Sequence, residues 1–299
     1  MWSLDLSSHS DDRLKIMFIW SKLSSPKWED AWQERFHSEG QTNAVISEVK
    51  GGKTIRVEVY CETREHAEDI QKLFGGSLRE LKKENWAAMK PPPRGPIKIR
   101  KALVVTEEAD EKKIEKVRQA HPGRGVIAIP AQMAFGTGDH ATTATCLRFL
   151  VDISKEYGGE EWSMLDVGCG SGILAIAASK SGASKVDGFD YDDHAVEVAD
   201  ANAERNGVAG HVTFSERDLL GWKPKKSERW DCVFANVFAD ILAAAAPTLA
   251  KVVRPGGHLV VSGILKEHSE ECLTALRAEG FDFIEIKTIG KWTTARARR

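Results

Sequence analysis

The chain has 299 residues, 42% of them hydrophobic, enough to build two separately packed cores. Its formal net charge is −2, from 42 basic and 44 acidic residues mixed along the chain, a balance that argues against direct nucleic-acid binding as its main task. Five cysteines without a Cys-x-x-Cys pair, a polar N-terminus and no apolar run of membrane-spanning length predict a reduced, cytoplasmic, unexported protein.

Residues 14–84 alternate between strand-like and helix-like patterns. Strands are predicted over 14–21, 44–49, 54–60 and 77–83, with helices over 26–39, opened by Ser25 and Pro26, and over 63–74. A Gly51-Gly52 turn joins the two middle strands. The order β-α-β-β-α-β predicts a small α+β ferredoxin-like domain over residues 1–88. Trp20, Trp28 and Trp32 read as its packing aromatics, and nothing in it looks catalytic. Lys90-Pro91-Pro92-Pro93-Arg94-Gly95-Pro96 then removes backbone donors and stiffens the chain, so residues 89–110 are assigned to a linker and connecting segment and 111–299 to a second domain. The neighbouring Lys98, Arg100 and Lys101 read as a solvated basic face.

The second domain begins with a polar helix over 111–120 and a segment over 125–130. Residues 134–143, Ala-Phe-Gly-Thr-Gly-Asp-His-Ala-Thr-Thr, follow. Two glycines around a threonine predict either a loop that closes over a ligand or an ordinary helix start capped by Thr142 or Thr143. His140 by itself reads as a structural histidine.

Met164-Leu-Asp-Val-Gly-Cys-Gly-Ser-Gly172 is the most informative stretch. A short apolar run ends in glycines at 168, 170 and 172, and Ile173 onwards is a good helix former, which predicts strand, tight turn and helix. The dinucleotide fingerprint Gly-x-Gly-x-x-Gly needs its last glycine where Ile173 stands, and Asp166 is a poor neighbour for a phosphate. A nicotinamide dehydrogenase is therefore disfavoured. Asp166 suits a positively charged ligand without phosphate, and Asp190, ending a second strand over 185–190, is placed to accept from two ribose hydroxyls. S-adenosyl-L-methionine meets these conditions, with Gly168, Gly170 and Asp190 as cofactor-binding candidates.

Beyond that turn, helices are predicted over 171–181, 193–206, 239–251 and 267–279, and strands over 211–215, 230–235, 258–262, 282–288 and 291–297. Repeated β-α units predict a doubly wound, Rossmann-like parallel sheet whose ligand lies beyond the strand C-termini. Gly168, Asp190, Asp218 and Asn236 stand at those ends. No His-x-x-x-His pair, calcium loop or Gly-x-Ser-x-Gly elbow supports metal or serine hydrolase chemistry.

Val167-Gly-Cys-Gly-Ser-Gly-Ile-Leu-Ala-Ile-Ala177, Asn202-Ala-Glu-Arg-Asn-Gly207, the 134–143 stretch, Ala235-Asn236-Val237 and Ser262-Gly263-Ile264-Leu265 together resemble the ribosomal protein L11 methyltransferase family. The resemblance is strong from Trp86 to the C-terminus. It implies a class I S-adenosylmethionine-dependent protein methyltransferase, with Thr143, Gly168, Asp190 and Asn236 as cofactor contacts and a small N-terminal domain that holds the substrate. The implied acceptors are amino groups, lysine side chains and an N-terminal amine, of a large-subunit ribosomal protein. A protein-lysine methyltransferase with another protein target stays open. Asn236 is the catalytic candidate, binding the methionine moiety or accepting a hydrogen bond from the amine. Val237 and Phe238 follow it, where enzymes acting on planar amides or adenine carry two prolines and an aromatic, which favours a tetrahedral amine. The family's usual threonine and proline are replaced by Asp139 and Ala141, and its acidic, tryptophan-rich segment by Glu84-Asn85-Trp86.

Overall fold

The computed structural model describes residues 17–28, 32, 36, 44–49, 54–61, 63–81, 95–130 and 140–299. Backbone contacts divide the chain into two units, Met1–Glu29 with Asn43–Gly95 and Asp30–Thr42 with Pro96–Arg299.

The smaller unit contains β1 (Met17–Ser24), β2 (Ala44–Glu48), β3 (Ile55–Cys61), α1 (Arg64–Phe74) and β4 (Ser77–Leu81). The sheet order is β2-β3-β1-β4 and every neighbouring pair is antiparallel. That is the arrangement of the expected ferredoxin-like chain, in which each crossover returns two strands away from its start. Helix α1 begins where the Thr63 side chain accepts a hydrogen bond from the His66 amide at 3.3 Å, and it buries Ala67 and Ile70. Trp20 is fully buried and donates to the Gly75 carbonyl at 2.6 Å. Trp28 is not a core residue: it is 54% exposed, with the Lys27 ammonium 5.3 Å from its ring. Of the helix predicted over 26–39, a 3-10 turn at Pro26–Trp28 is seen. Most of the rest of that helix, the Gly51-Gly52 turn and 90–94 of the proline-rich segment lie outside the described residues.

The larger unit opens with β5 (Ile97–Ile99), β6 (Leu103–Thr106), α2 (Glu111–Ala120) and β7 (Gly125–Ala128), which form a three-stranded sheet β5-β6-β7 and its helix. Residues 97–106, expected within a connecting segment, are therefore sheet residues of this unit. Then come α3 (Ala141–Glu156), β8 (Ser163–Val167), α4 (Ile173–Lys180), β9 (Lys185–Asp190), α5 (Asp193–Arg205), β10 (Val212–Glu216) and β11 (Trp230–Asn236). The chain ends with α6 (Ala239–Val252), β12 (Val253–Leu265), α7 (Ser269–Ala278), β13 (Asp282–Ile289) and β14 (Trp292–Arg298).

Seven of these strands form one sheet in the order β10-β9-β8-β11-β12-β14-β13. The first five are parallel, whereas β14 is antiparallel to both β12 and β13, so the sheet is mixed rather than wholly parallel. Period-two alternation divides β8 and β11 between two cores: Met164 and Phe234 face one, Leu165, Val167, Val233 and Ala235 the other. Helices cover both faces, which is why β8 is buried along its whole length. Strand order reverses between β8 and β11, leaving a crevice at their C-terminal ends.

The Asn202–Gly207 motif proves to be scaffolding for that crevice. Asn202 Nδ2 donates to the Ser171 carbonyl at 3.0 Å, holding the glycine turn. Asn206 clips the end of β7, accepting from the Ala128 amide at 2.9 Å and donating to its carbonyl at 2.8 Å. Asn206→Ala leaves both Ala128 groups buried and unpaired, a loss of about 1–3 kcal/mol for each group. A clear fall in the urea midpoint with an unchanged slope is expected in equilibrium unfolding.

Candidate active site

A cavity of about 710 Å³ occupies the crevice, and all five candidate residues, Thr143, Gly168, Gly170, Asp190 and Asn236, line it. Backbone geometry explains why glycine stands at three positions of the turn. Gly168, Gly170 and Gly172 have φ of 68, 52 and 75°, the left-handed region that side chains resist. At Gly172 a Cβ would also stand 2.8 Å from the Phe214 ring and 3.0 Å from Ala199 Cβ, so this glycine lets α4 approach α5 and β10.

Four amides of the turn are consumed internally. Gly168 and Cys169 both donate to the Phe189 carbonyl, Gly172 to Cys169, and Gly170 to Asp190 Oδ2 at 2.9 Å. Such a turn offers no nest of free N–H groups to a pyrophosphate, consistent with the one-residue displacement of its last glycine. Asp190 is 8% exposed, and its other oxygen accepts from the Asp192 amide at 3.2 Å. Each carboxylate oxygen thus keeps lone-pair capacity, enough for a vicinal diol.

Asp166 lies at the base of the cavity, 1% exposed, with Oδ2 accepting from the Ala175 amide in the first turn of α4 at 3.1 Å. Burial pushes its carboxyl up to about 8, against the Ala175 hydrogen bond and with some help from the Asp190 charge. On the cavity lining, Thr143 Oγ1 and Asn236 Oδ1 are buried without a hydrogen-bond partner among the described residues. Buried polar atoms without partners are costly, so a ligand that satisfies them binds with that cost relieved. A diol acceptor, unpartnered polar atoms and a buried carboxyl suit S-adenosylmethionine, an adenosine with an amino-acid tail and a cationic sulfur.

Other expectations change. Helix α3 is capped by His140, whose Nδ1 accepts from the Thr142 amide at 3.4 Å and meets Thr142 Oγ1 at 2.7 Å. Neither Thr142 nor Thr143 is the cap, and this frees Thr143 to line the cavity. Residues 134–139 of the expected closing loop lie outside the described residues. Asp218 lines the cavity, but its carboxylate accepts from the Leu220 and Gly221 amides at 3.0 and 3.2 Å and so braces its own turn. Lining residues that the sequence did not single out include Arg217, held between Phe189 and Trp222 at 5.4 and 4.6 Å, and Trp292. Trp292 comes from β14, and no local motif marked it.

The profile of the ribosomal protein L11 methyltransferase family (PrmA) matches residues 39–299. The chain belongs to this family. The ribosomal protein L11 methyltransferase of Pelotomaculum thermopropionicum is 39% identical over 222 residues, 74% of this chain and 68% of that one. That of Dictyoglomus turgidum is 35% identical over 234 residues, 77% and 73% of the two chains. The crystal structure of a ribosomal protein L11 methylase from Lactobacillus delbrueckii subsp. bulgaricus superposes with a TM-score of 0.56 at 25% identity, covering 68% of this chain and 98% of that one. The cofactor is S-adenosylmethionine.

Two measurements probe the site. A Cβ at Gly263, φ 81°, would stand 2.7 Å from the Val237 carbonyl oxygen, whereas one at Gly256, φ 76°, meets open space. Both alanine variants carry about 1–2 kcal/mol of left-handed strain, but only Gly263→Ala is expected to weaken cofactor binding in calorimetry. The second concerns Asp166, which is mostly protonated at pH 7 when its pKa lies at about 8. A cationic ligand lowers that pKa, so binding releases a proton, and the measured enthalpy changes between buffers of different ionisation heat. Asp166→Asn abolishes that difference. Because the folded-state pKa is raised, the wild-type apoprotein also loses stability from this group as pH rises from about 4 to about 8, and the asparagine variant does not.

Proposed function

We propose that this chain methylates amino groups of ribosomal protein L11, lysine side chains and the N-terminal amine, and that Asn236 is its catalytic residue. The observation that carries the reading is the buried, unpartnered Asn236 Oδ1, at the C-terminal end of β11 beside the glycine turn, in a chain of this family. S-adenosylmethionine supplies an electrophilic methyl group on a sulfonium. Gly168 and Gly170 give it room against the backbone, Asp190 accepts from its ribose hydroxyls, and Thr143 and Asn236 present polar atoms to the remainder.

An acceptor lysine has an ordinary pKa near 10.4 and is protonated at pH 7, so its lone pair must be exposed before transfer. Desolvation inside the cavity lowers that value. Asn236 Oδ1 then accepts a hydrogen bond from an amine N–H, which orients the nitrogen lone pair for in-line attack. Residues 1–88 are the proposed substrate-recognition domain and 111–299 the proposed methyltransferase domain, to whose unit 97–106 contribute β5 and β6. Among the described residues no helix is long and apolar enough to cross a membrane, which suits a cytoplasmic enzyme acting on a ribosomal protein.

Labelled methyl transfer from S-adenosylmethionine to purified ribosomal proteins, read by intact mass, tests the reading. Mass gains in multiples of one methyl on L11 are expected. Asn236→Ala is expected to cut kcat on the order of 10²-fold or more, as loss of a preorganised polar group does. Gains on another protein instead of L11 would favour a different lysine target, and unchanged turnover in Asn236→Ala would remove its catalytic role.

A further inference from the structure

Parallel strands need crossovers, and in the large sheet the steps from β8 to β9, β9 to β10 and β11 to β12 each carry a helix, α4, α5 and α6. The step from β10 to β11 is different. Residues 217–229, all of them described, contain turns and no helix. This connection leaves the edge strand β10 and passes β9 and β8 to reach β11. Without a helical ladder it must be held by side chains, and its first residues, Arg217 to Leu220, line the cavity.

The hold converges on Arg217. Its N–H donates to the Asp190 carbonyl at 2.7 Å, so it is fastened to the residue whose carboxylate faces the cavity. Its guanidinium carbon lies 4.6 Å from the Trp222 ring centroid and 5.4 Å from that of Phe189, and the two rings meet edge-on at 5.3 Å. Phe189 also supplies the carbonyl that takes the Gly168 and Cys169 amides. Trp222 packs against the core that contains Leu219, and its ring stands 6.2 Å from that of Trp230, the first residue of β11. Glu228 pairs with the guanidinium at 3.4 Å through one oxygen and takes the Lys225 amide at 2.6 Å through the other. One side chain thus ties the beginning, middle and end of the connection to β9. Within that frame Asp218 closes the turn on the Leu220 and Gly221 amides, and Leu219 is buried. Trp222 and Glu228 do not line the cavity.

We infer that Arg217 is a positioning residue for the cofactor. Packed on Trp222 and Phe189, it sets the wall formed by Asp218, Leu219 and Leu220 against β9, and cofactor affinity depends on that setting. The transfer step does not, because the ends of β10 and β11, where Arg217 and Asn236 stand, are three strand steps apart, roughly 14 Å at the usual spacing. This holds whichever protein accepts the methyl group.

The test is calorimetric titration of S-adenosylhomocysteine into variants of the full chain. Arg217→Met keeps the aliphatic stem and removes the guanidinium. It is expected to raise the cofactor Kd about tenfold, equivalent to about 1.4 kcal/mol and within the range of desolvated cation–π contacts. Arg217→Lys keeps a cation over the rings and recovers most of the affinity. Trp222→Leu also weakens binding about tenfold, and the double variant stays near tenfold, because both changes remove the same contact. If Trp222→Leu fails to fold, Glu228→Gln takes its place, with a loss of about threefold in the wild-type background and none in Arg217→Met. In hydrogen exchange of the apoprotein, the Leu220 and Gly221 amides exchange faster in Arg217→Met while those of β8 and β9 keep their protection. In methyl transfer the KM for S-adenosylmethionine follows Kd, against a change in kcat of about twofold or less. Unchanged cofactor affinity in Arg217→Met overturns the inference. So does a double variant near a hundredfold, which means that Arg217 and Trp222 act separately, or a fall in kcat with Kd preserved.

Discussion

The Asn236-Val237-Phe238 segment can leave β11 only because no side chain stands on either side of Val237. Gly168, from the turn after β8, and Gly263, from the end of β12, close on it to distances that a Cβ would violate. Both glycines adopt φ that other residues resist, 68 and 81°, so the two turns and the segment between them determine one another. The reversal of strand order opens a crevice between β8 and β11, and this three-way contact fixes its floor. Asn236, Gly168 and the outward Phe238 owe their relative placement to it.

Electrostatics then decide what the crevice accepts. A helix N-terminus behind a glycine turn is commonly an anion site. Here the turn donates its N–H groups to Phe189, Cys169 and Asp190, and the Ala175 amide in the first turn of α4 goes to Asp166. The same strand-turn-helix design is thereby converted from a phosphate cradle into a cavity with buried carboxyl groups. Desolvation outweighs the favourable amide at Asp166, so this carboxyl holds its proton until a cation approaches. At Asp190 two backbone donors support the carboxylate, leaving it poised for hydroxyl donors.

A partly buried ionic cluster lies away from the crevice. Arg296, 5% exposed, reaches Glu156 at 2.5 Å and His258 at 3.3 Å, and Glu156 also takes Arg298 at 2.9 Å. Burial and the two arginines push the His258 ring down to about 4, which keeps it neutral between the cations. The cluster ties the end of α3 to β12 and β14, the strands that carry Gly263 and Trp292. The antiparallel insertion of β14 is thus braced from one end of the sheet while its other end contributes to the cavity.

Local chemistry was enough to read much of this molecule. Hydrophobic periodicity located the α/β alternation, and the helix over 111–120 begins and ends where its pattern does, at Glu111 and Ala120. Glycine spacing with the acids at 166 and 190 marked the cofactor half, because those constraints act over a few bonds or one strand-helix unit. Tertiary structure alone decided the rest. The cap at His140, the exposure of Trp28 and the bracing role of Asp218 depend on which neighbours compete for the same donors and space. Trp292 is more than fifty residues from Asn236 in the chain and reaches the cavity only through the antiparallel pairing of β14 with β12. Pairing between distant strands leaves no periodic or spacing signal at the residue it delivers, and that is why the cofactor side of the cavity was legible in the sequence and its aromatic side was not.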